Sequence, residues 1–436
     1  MILANGAFPT QAESTERLRR KRFCLLFAAK KSYHYANTGL PSFVLDLGEP
    51  MLRLMARILL STALILVSLS FLSCSKSSPV EPPPAAPSPW VEVALPDTLP
   101  ISILKSIAFQ GQRGLALGSA SRPTGYSYVL ETNGSGWNTH SLPITQNDLV
   151  SFLAMDHEGR GIIVGKAADA GTDPPLLLYE APTWQRQSLP STSSNGGLLT
   201  VAVDENETVF TGGVASSTMT AFSGKANGSW SQVPMPFPGD TEDKLLIDLA
   251  YGHGRWAACG WDAGAPTGDA SPYYSVLFMN AGEGWRVIDV PKCEGCSLID
   301  YRSVGIDQQG KILLGGSMAV PGDDYLKPIF MSYDPVDSSW VSIPLPESEL
   351  AQRVDDILVT TKGDVYLACA PVGLVHLYPT GEGVIEWSGS AIILSLAEAS
   401  TGEIYAVGSK PKPGEPYDPI LGYTPLPLML RRPANL

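Results

Sequence analysis

The sequence predicts an all-β chain assembled from one repeated four-stranded unit, and three observations predict it. Glycine and proline are abundant, 42 and 37 of 436 residues, and the apolar runs between them are short. No long stretch keeps a helical period. The third observation is a recurrence: KILLGGSMAVPGDDYLKPIFMSYDPVDSSWVSIPLP, residues 311–346, contains apolar runs separated by turn residues and ends in a Trp-led strand closed by Leu-Pro.

That closing strand repeats as WVEVALP (90), WNTHSLP (137), WQRQSLP (184), WSQVPMP (230), WRVIDVP (285) and WVSIPLP (340). A weaker copy, VIEWSG, has Val384 in the Trp position and Trp387 three residues late. Upstream of every copy but the first lie three more short strands. The second of these is the most legible, as in RGLALGS, RGIIVGK, TVFTGGV and KILLGGS. Seven triplets and seven closing strands at a period of about 44 to 55 residues are the signature of β-propeller blades. The chain opens with a lone closing strand, 90–95, and ends with a triplet, 391–426, that lacks one. A seven-bladed propeller follows, its N-terminal strand completing the C-terminal blade. Such repeats bury their faces only against one another, so 90–436 is expected to form one domain.

The repeats resemble those of the kelch family, whose strands end in a Gly pair before a Tyr and a Trp. Gly315, Gly316, Tyr333 and Trp340 match throughout, and Gly212, Gly213, Phe222 and Trp230 match nearly. Gly118-Ser119, Gly165-Lys166, Cys259-Gly260, Gly408-Ser409 and Cys369-Ala370 depart from the pair. The degenerate units are also similar to Asp-box and photosystem-assembly-factor-like propellers, although the Ser-x-Asp-x-Gly box is absent. The resemblance implies an architecture; this fold hosts many unrelated activities. Gly at the second strand's end lets backbones crowd, and Trp supplies a large face for burial between blades.

Ahead of this region, MLRLMARILLSTALILVSLSFLSCSKSS, residues 51–78, reads as a secretory signal: Arg53 and Arg57, an apolar stretch from Ile58 to Leu72, then Ser73 and Cys74. It resembles a bacterial lipoprotein signal, which implies lipid on Cys74 and an address in the cell envelope. Ser75 after the Cys suggests the outer membrane. The apolar run is shorter than the ~20 residues of a spanning helix. Residues 1–50, with the basic cluster RLRRKR, then lie upstream of a complete signal, and a start at Met51 or Met55 explains them most simply. Residues 75–89, rich in Ser and Pro, are expected to form a tether.

Residues 1–74 hold nine of the 30 basic and four of the 43 acidic residues, so the remainder carries 21 against 39, a net charge of −18. This excludes nucleic acid as the expected partner and favours a basic protein, a neutral ligand or cations. The molecule is expected to be monomeric.

Turns between first and second strands are tight, whereas second-to-third loops and blade-to-blade links are long. In a propeller both long classes emerge on one face, the expected binding face. Its candidate binding residues are Trp261, Asp262, Asp269, Tyr273, Tyr274, Asp323, Asp324, Tyr325 and Tyr417. The aromatic members suit a sugar or peptide. The acidic ones offer oxygens to Ca²⁺, but with no regular ligand series a solvated surface is favoured and no cofactor is expected. Cys293 and Cys296, in the link between blades four and five, are expected to form a local disulfide in an exported protein. Cys259 and Cys369 are expected as buried thiols.

No nucleophile elbow is present, and the four His residues beyond residue 74 lack ligand spacing. The copper ligands of galactose oxidase, another kelch-like propeller, and the Asp boxes and arginine cluster of sialidases are likewise not found. The leading expectation is therefore a non-enzymatic envelope lipoprotein that binds a protein or glycan. A carbohydrate-active enzyme (epimerase, lyase or hydrolase) is the alternative. Charged side chains converging at the mouth of the central channel would favour the enzyme, and a broad acidic and aromatic rim the binder.

Overall fold

A computed structural model describes residues 88–434, except 101, 121–125, 145–147, 168–173, 181, 191–196, 216–217, 227, 238–243, 263–273, 292–297, 321–325, 347–351, 371–372, 390 and 415–423. The described residues form 28 β-strands and no helix, in seven four-stranded antiparallel blades. Blades two and three are bridged at one residue pair, Gly197 opposite Lys166, which merges them into a single eight-stranded sheet.

The first strands of the blades are Ser102–Gln110, Leu149–Met155, Gly197–Val203, Lys244–Gly252, Leu298–Ile306, Arg353–Val359 and Ile392–Glu398. Each packs on the next, and the last packs on the first, so the ring is closed around an axial channel. Second strands are buried on both faces and read as near-continuous apolar runs, as in GIIVG. Fourth strands, such as Asn138–Ser141, are largely exposed.

Seven apolar clusters fill the structure, one at each seam between neighbouring blades. The repeated tryptophans serve these seams. Trp90, Trp137, Trp184 and Trp230 are buried, while Trp285 and Trp340 are partly so. Each fully buried aromatic or Leu side chain contributes roughly 1.5–3 kcal/mol, and stability builds seam by seam.

Structural register places Gly118, Gly165, Gly213, Gly260, Gly316 and Gly408 in one column, with Cys369 in blade six. The single glycines thus align with the second residue of the pair in blades three and five. The two members of a pair have different duties. A Cβ on Gly315 would lie 2.6 Å from Val354 of the next blade, whereas one on Gly316 would lie 2.0 Å from the carbonyl oxygen of Asp300 in its own blade. Cys259 and Cys369 are buried free thiols, as expected.

The ring closes as the repeat phase requires. Val91–Glu92 pairs antiparallel with Pro425–Arg432 of blade seven, Val91 opposite Arg431, and the Val93 N–H adds one bond to Met429. This strand is shorter than the expected 90–95; continuing its register would set Leu95 opposite Pro427, which has no N–H to pair. A polar lock stands beside it. Glu386, on the outer strand of blade six (Gly383–Trp387), accepts Trp90 Nε1 at 3.0 Å, Arg432 Nε at 2.8 Å and Arg432 Nη2 at 3.1 Å. Its Oε1 also lies 2.9 Å from His376 Nδ1, whose ring stacks on Tyr366 at 4.3 Å. Burial would push the Glu386 carboxyl up, but the bonds and charges of His376 and Arg432 hold it below its usual value.

Candidate functional site

Every first strand carries a β-bulge at the same height. Its register with the second strand skips one residue: Lys105, Ser151, Leu199, Ile247, Arg302, Asp355 or Leu394. A bulge frees one residue from pairing and turns two successive side chains to the same side. All seven skipped residues are partly exposed, consistent with their place on the inner edge of the ring.

The residue after the bulge belts the blades together. Ser106 Oγ accepts the N–H of Leu153, Asp248 Oδ2 that of Val304, Asp356 Oδ2 that of Leu396, and Ser395 Oγ that of Ile107. Each of these bonds crosses a seam. Burial, together with the charge of Asp356, pushes the Asp248 carboxyl up to about 7, and burial pushes Asp356 up to about 6. Raised folded-state values favour the protonated form. The stability they contribute is therefore complete below the ordinary carboxylate range, about pH 4, and is lost as pH rises through about 6 to 7. Glu386 acts oppositely, losing its contribution as pH falls through its depressed value. The melting temperature is accordingly expected to peak in mild acid and decline towards pH 8. Asp248→Asn should flatten that decline, and an equally steep decline in thermal melts of the variant would refute the assignment.

Charge concentrates at the bulges of blades five and six. Arg302 Nε donates to Asp300 Oδ2 at 2.6 Å, and Arg353 Nε donates to Asp355 Oδ1 at 2.6 Å. Trp261 Nε1 donates to the other Asp300 oxygen at 2.8 Å, and the Arg302 guanidinium stands 5.7 Å from the Trp261 ring centroid. The Asp300 and Asp355 side chains are only 10% and 8% exposed, whereas those of Arg302 and Arg353 are 34% and 32% exposed. Each aspartate thus fixes its arginine through Nε and leaves the end of the fork towards solvent. Asp355 Oδ2 is buried and has no hydrogen-bond partner. Burial raises the Asp355 carboxyl above its usual value against the pull of Arg353 and Arg302.

These groups stand where first strands begin and second strands end, on the face that carries the long loops. Across the ring, Lys105 donates Nζ to Val150 O at 3.1 Å, and burial lowers its pKa. Among the described residues no three His, Cys, Asp or Glu side chains converge as a metal site.

Of the residues singled out in the sequence, Trp261 joins this cluster. Asp262 and Tyr274 face each other in register at the ends of the second and third strands of blade four. Asp269, Tyr273, Asp323, Asp324, Tyr325 and Tyr417 lie outside the described residues, as do Cys74, Cys293 and Cys296. Sequence reasoning missed Asp300, Arg302, Arg353 and Asp355. It also missed the belt, although a column of Ser, Thr or Asp before an aliphatic residue (Ser106-Ile107, Asp248-Leu249, Asp356-Ile357, Ser395-Leu396) was there to be read.

No family model and no curated protein sequence matches the chain. Its structure is similar to that of a catalytically inactive virginiamycin B lyase from Staphylococcus aureus with quinupristin, with TM-score 0.54 and 9% identity over 79% of this chain and 98% of that one. It is similar to YCF48 bound to D1 peptide, with TM-score 0.51 and 13% identity over 80% and 97%. It also resembles the extracellular domain of a putative one-component system from B. thetaiotaomicron, with TM-score 0.50 and 10% identity over 78% of this chain but 39% of the longer one. At these identities the likeness establishes the β-propeller fold and nothing finer.

Proposed function

We propose that this propeller is a non-enzymatic binding module of the bacterial cell envelope, whose long-loop face receives a protein or glycan partner. One observation carries the reading: two arginines, each fixed by its own aspartate, stand at the channel mouth with their forks open to solvent, Arg302 beside Trp261. Arginine and tryptophan are the residue types that anchor interfaces, and fixing them before binding lowers the entropic cost. The signal-like segment supports export, lipid on Cys74 and tethering through 75–89 at the outer membrane, and the repeats support a kelch-like origin.

The alternative, a carbohydrate-active enzyme, is favoured by Asp355. A buried carboxyl with a raised pKa and an unpartnered oxygen suits proton transfer to or from a sugar. Its neighbours Arg302 and Arg353 supply the charged convergence that such a site would need.

Peptide and oligosaccharide arrays probed with the purified protein, with and without Ca²⁺, test both readings. Binding weakened about tenfold or more by Trp261→Ala is expected, since truncating an anchor costs roughly 2 kcal/mol or more. Blank arrays, or binding indifferent to Trp261→Ala, would sink the placement of the site. Turnover of a bound sugar, abolished by Asp355→Asn, would establish the enzyme instead.

A further inference from the structure

The mouth cluster has a shape that restricts its ligand. Arg302 and Arg353 present two guanidinium forks whose Nε positions are already occupied, so their terminal nitrogens suit an anion with two oxygens. Asp355 Oδ2 is a buried acceptor that lacks a donor, within a side chain that is only 8% exposed. Leaving such an atom unsatisfied is costly, so an N–H or O–H from outside is the group it requires. The strands that flank this pair carry a different chemistry. At the same two heights blade four places Leu245 and Ile247, and blade seven places Leu394. The charged pair therefore stands between apolar neighbours, with Lys105 and Leu149 farther round the ring.

A carboxylate, a donor next to it and an apolar group, all within a few bonds, make up the C-terminal residue of a peptide. We propose that the channel mouth captures a free peptide C-terminus. Arg302 and Arg353 take the terminal carboxylate, Asp355 Oδ2 accepts the last amide N–H, and the apolar residues of flanking blades four and seven take an apolar last side chain. An acidic side chain within a peptide would offer the carboxylate without that adjacent amide, and a sugar acid would offer nothing to those apolar residues. This inference rests on the binding-face reading above and names the ligand of that same site.

The test compares three probes by calorimetry on the intact purified protein: N-acetyl-Gly-Gly-Leu with a free carboxylate, the same peptide as its C-terminal amide, and a galacturonate oligomer. The free acid should bind at least tenfold more tightly than the amide, because a charge-assisted fork is lost with the charge. Arg302→Gln and Arg353→Gln should each erase that preference. The acid-to-amide ratio is measured on the unmodified protein, so a variant that fails to fold leaves the proposal open to refutation. Equal affinity for acid and amide, or tighter binding of the galacturonate, would overturn it. If array binding at Trp261 persists beside an acid-to-amide ratio of one, the C-terminus inference falls while the binding face stands. If neither arrays nor probes bind, both fall.

Discussion

Glu386→Ala is expected to cost about 3–5 kcal/mol, the usual penalty for removing one partner of a buried ion pair. The Glu386 side chain is 7% exposed and Arg432 only 13%, so Arg432 would be stranded with its charge largely out of water. Trp90 would lose its indole bond in the same step, and His376 the nearer of its two partners at Nδ1. Because Trp90 adjoins, and Arg432 ends, the two strands that close the ring, the damage should appear there first. Denaturant unfolding gives the magnitude, and limited proteolysis near Val91 reports the location. Glu386→Gln keeps an acceptor for Trp90 and should cost less, about 1–2 kcal/mol. An alanine variant within about 1 kcal/mol of the parent would show that the lock does not hold the clasp.

Gly408→Ala should be comparably severe. Its new Cβ would sit 1.8 Å from the carbonyl oxygen of Ile392 and 2.8 Å from the carbonyl carbon, so backbone must move. Overpacking by a side chain against side chains costs about 1–3 kcal/mol, and a collision with a strand backbone belongs at or above the top of that range. The first strand cannot retreat without opening its bulge or disturbing the Ser395 bond to Ile107 across the next seam. Blade six provides the contrast, because the same register position holds Cys369 and its first strand already accommodates a Cβ. Cys369→Ala should cost only about 1 kcal/mol, the loss of a small buried group. Thermal melts of the two variants side by side decide the matter; equal losses would contradict the column's steric explanation.

What could be read from the sequence depended on repetition. The Trp column set blade count and phase, and the unpaired WVEVALP strand announced the closure that Val91 and Arg431 make. The charged cluster was not legible, for a local reason. Alternation along a strand implies that Asp355 and Asp356 point apart, and likewise Arg302 and Ser303. The bulge cancels that rule, and within a single blade nothing in the residue pattern marks it; only the column of polar residues after it, read across blades, does. Asp300, Arg302 and Arg353 read as ordinary charges on a strand until the ring brings blades five and six together. The glycine column was half seen: alignment on the pairs in Gly212-Gly213 and Gly315-Gly316 hid the fact that only the second member recurs in almost every blade. Glu386 was masked by the weakest repeat, VIEWSG, where the displaced Trp387 drew attention from its neighbour.

The clasp also has a mechanical consequence. Val91 lies opposite Arg431 and Glu92 opposite Leu430, so residue 90 and residue 432 leave the paired strands at the same end. Tension applied between the segment before Trp90 and the segment after Arg432 would peel this pair bond by bond, as a zipper opens, instead of shearing all its bonds together. Trp90 and Arg432 both grip Glu386 at the fork where peeling would start. A load carried along the chain into blade seven therefore meets the ring where its strands peel most easily and where a buried polar contact resists the peeling.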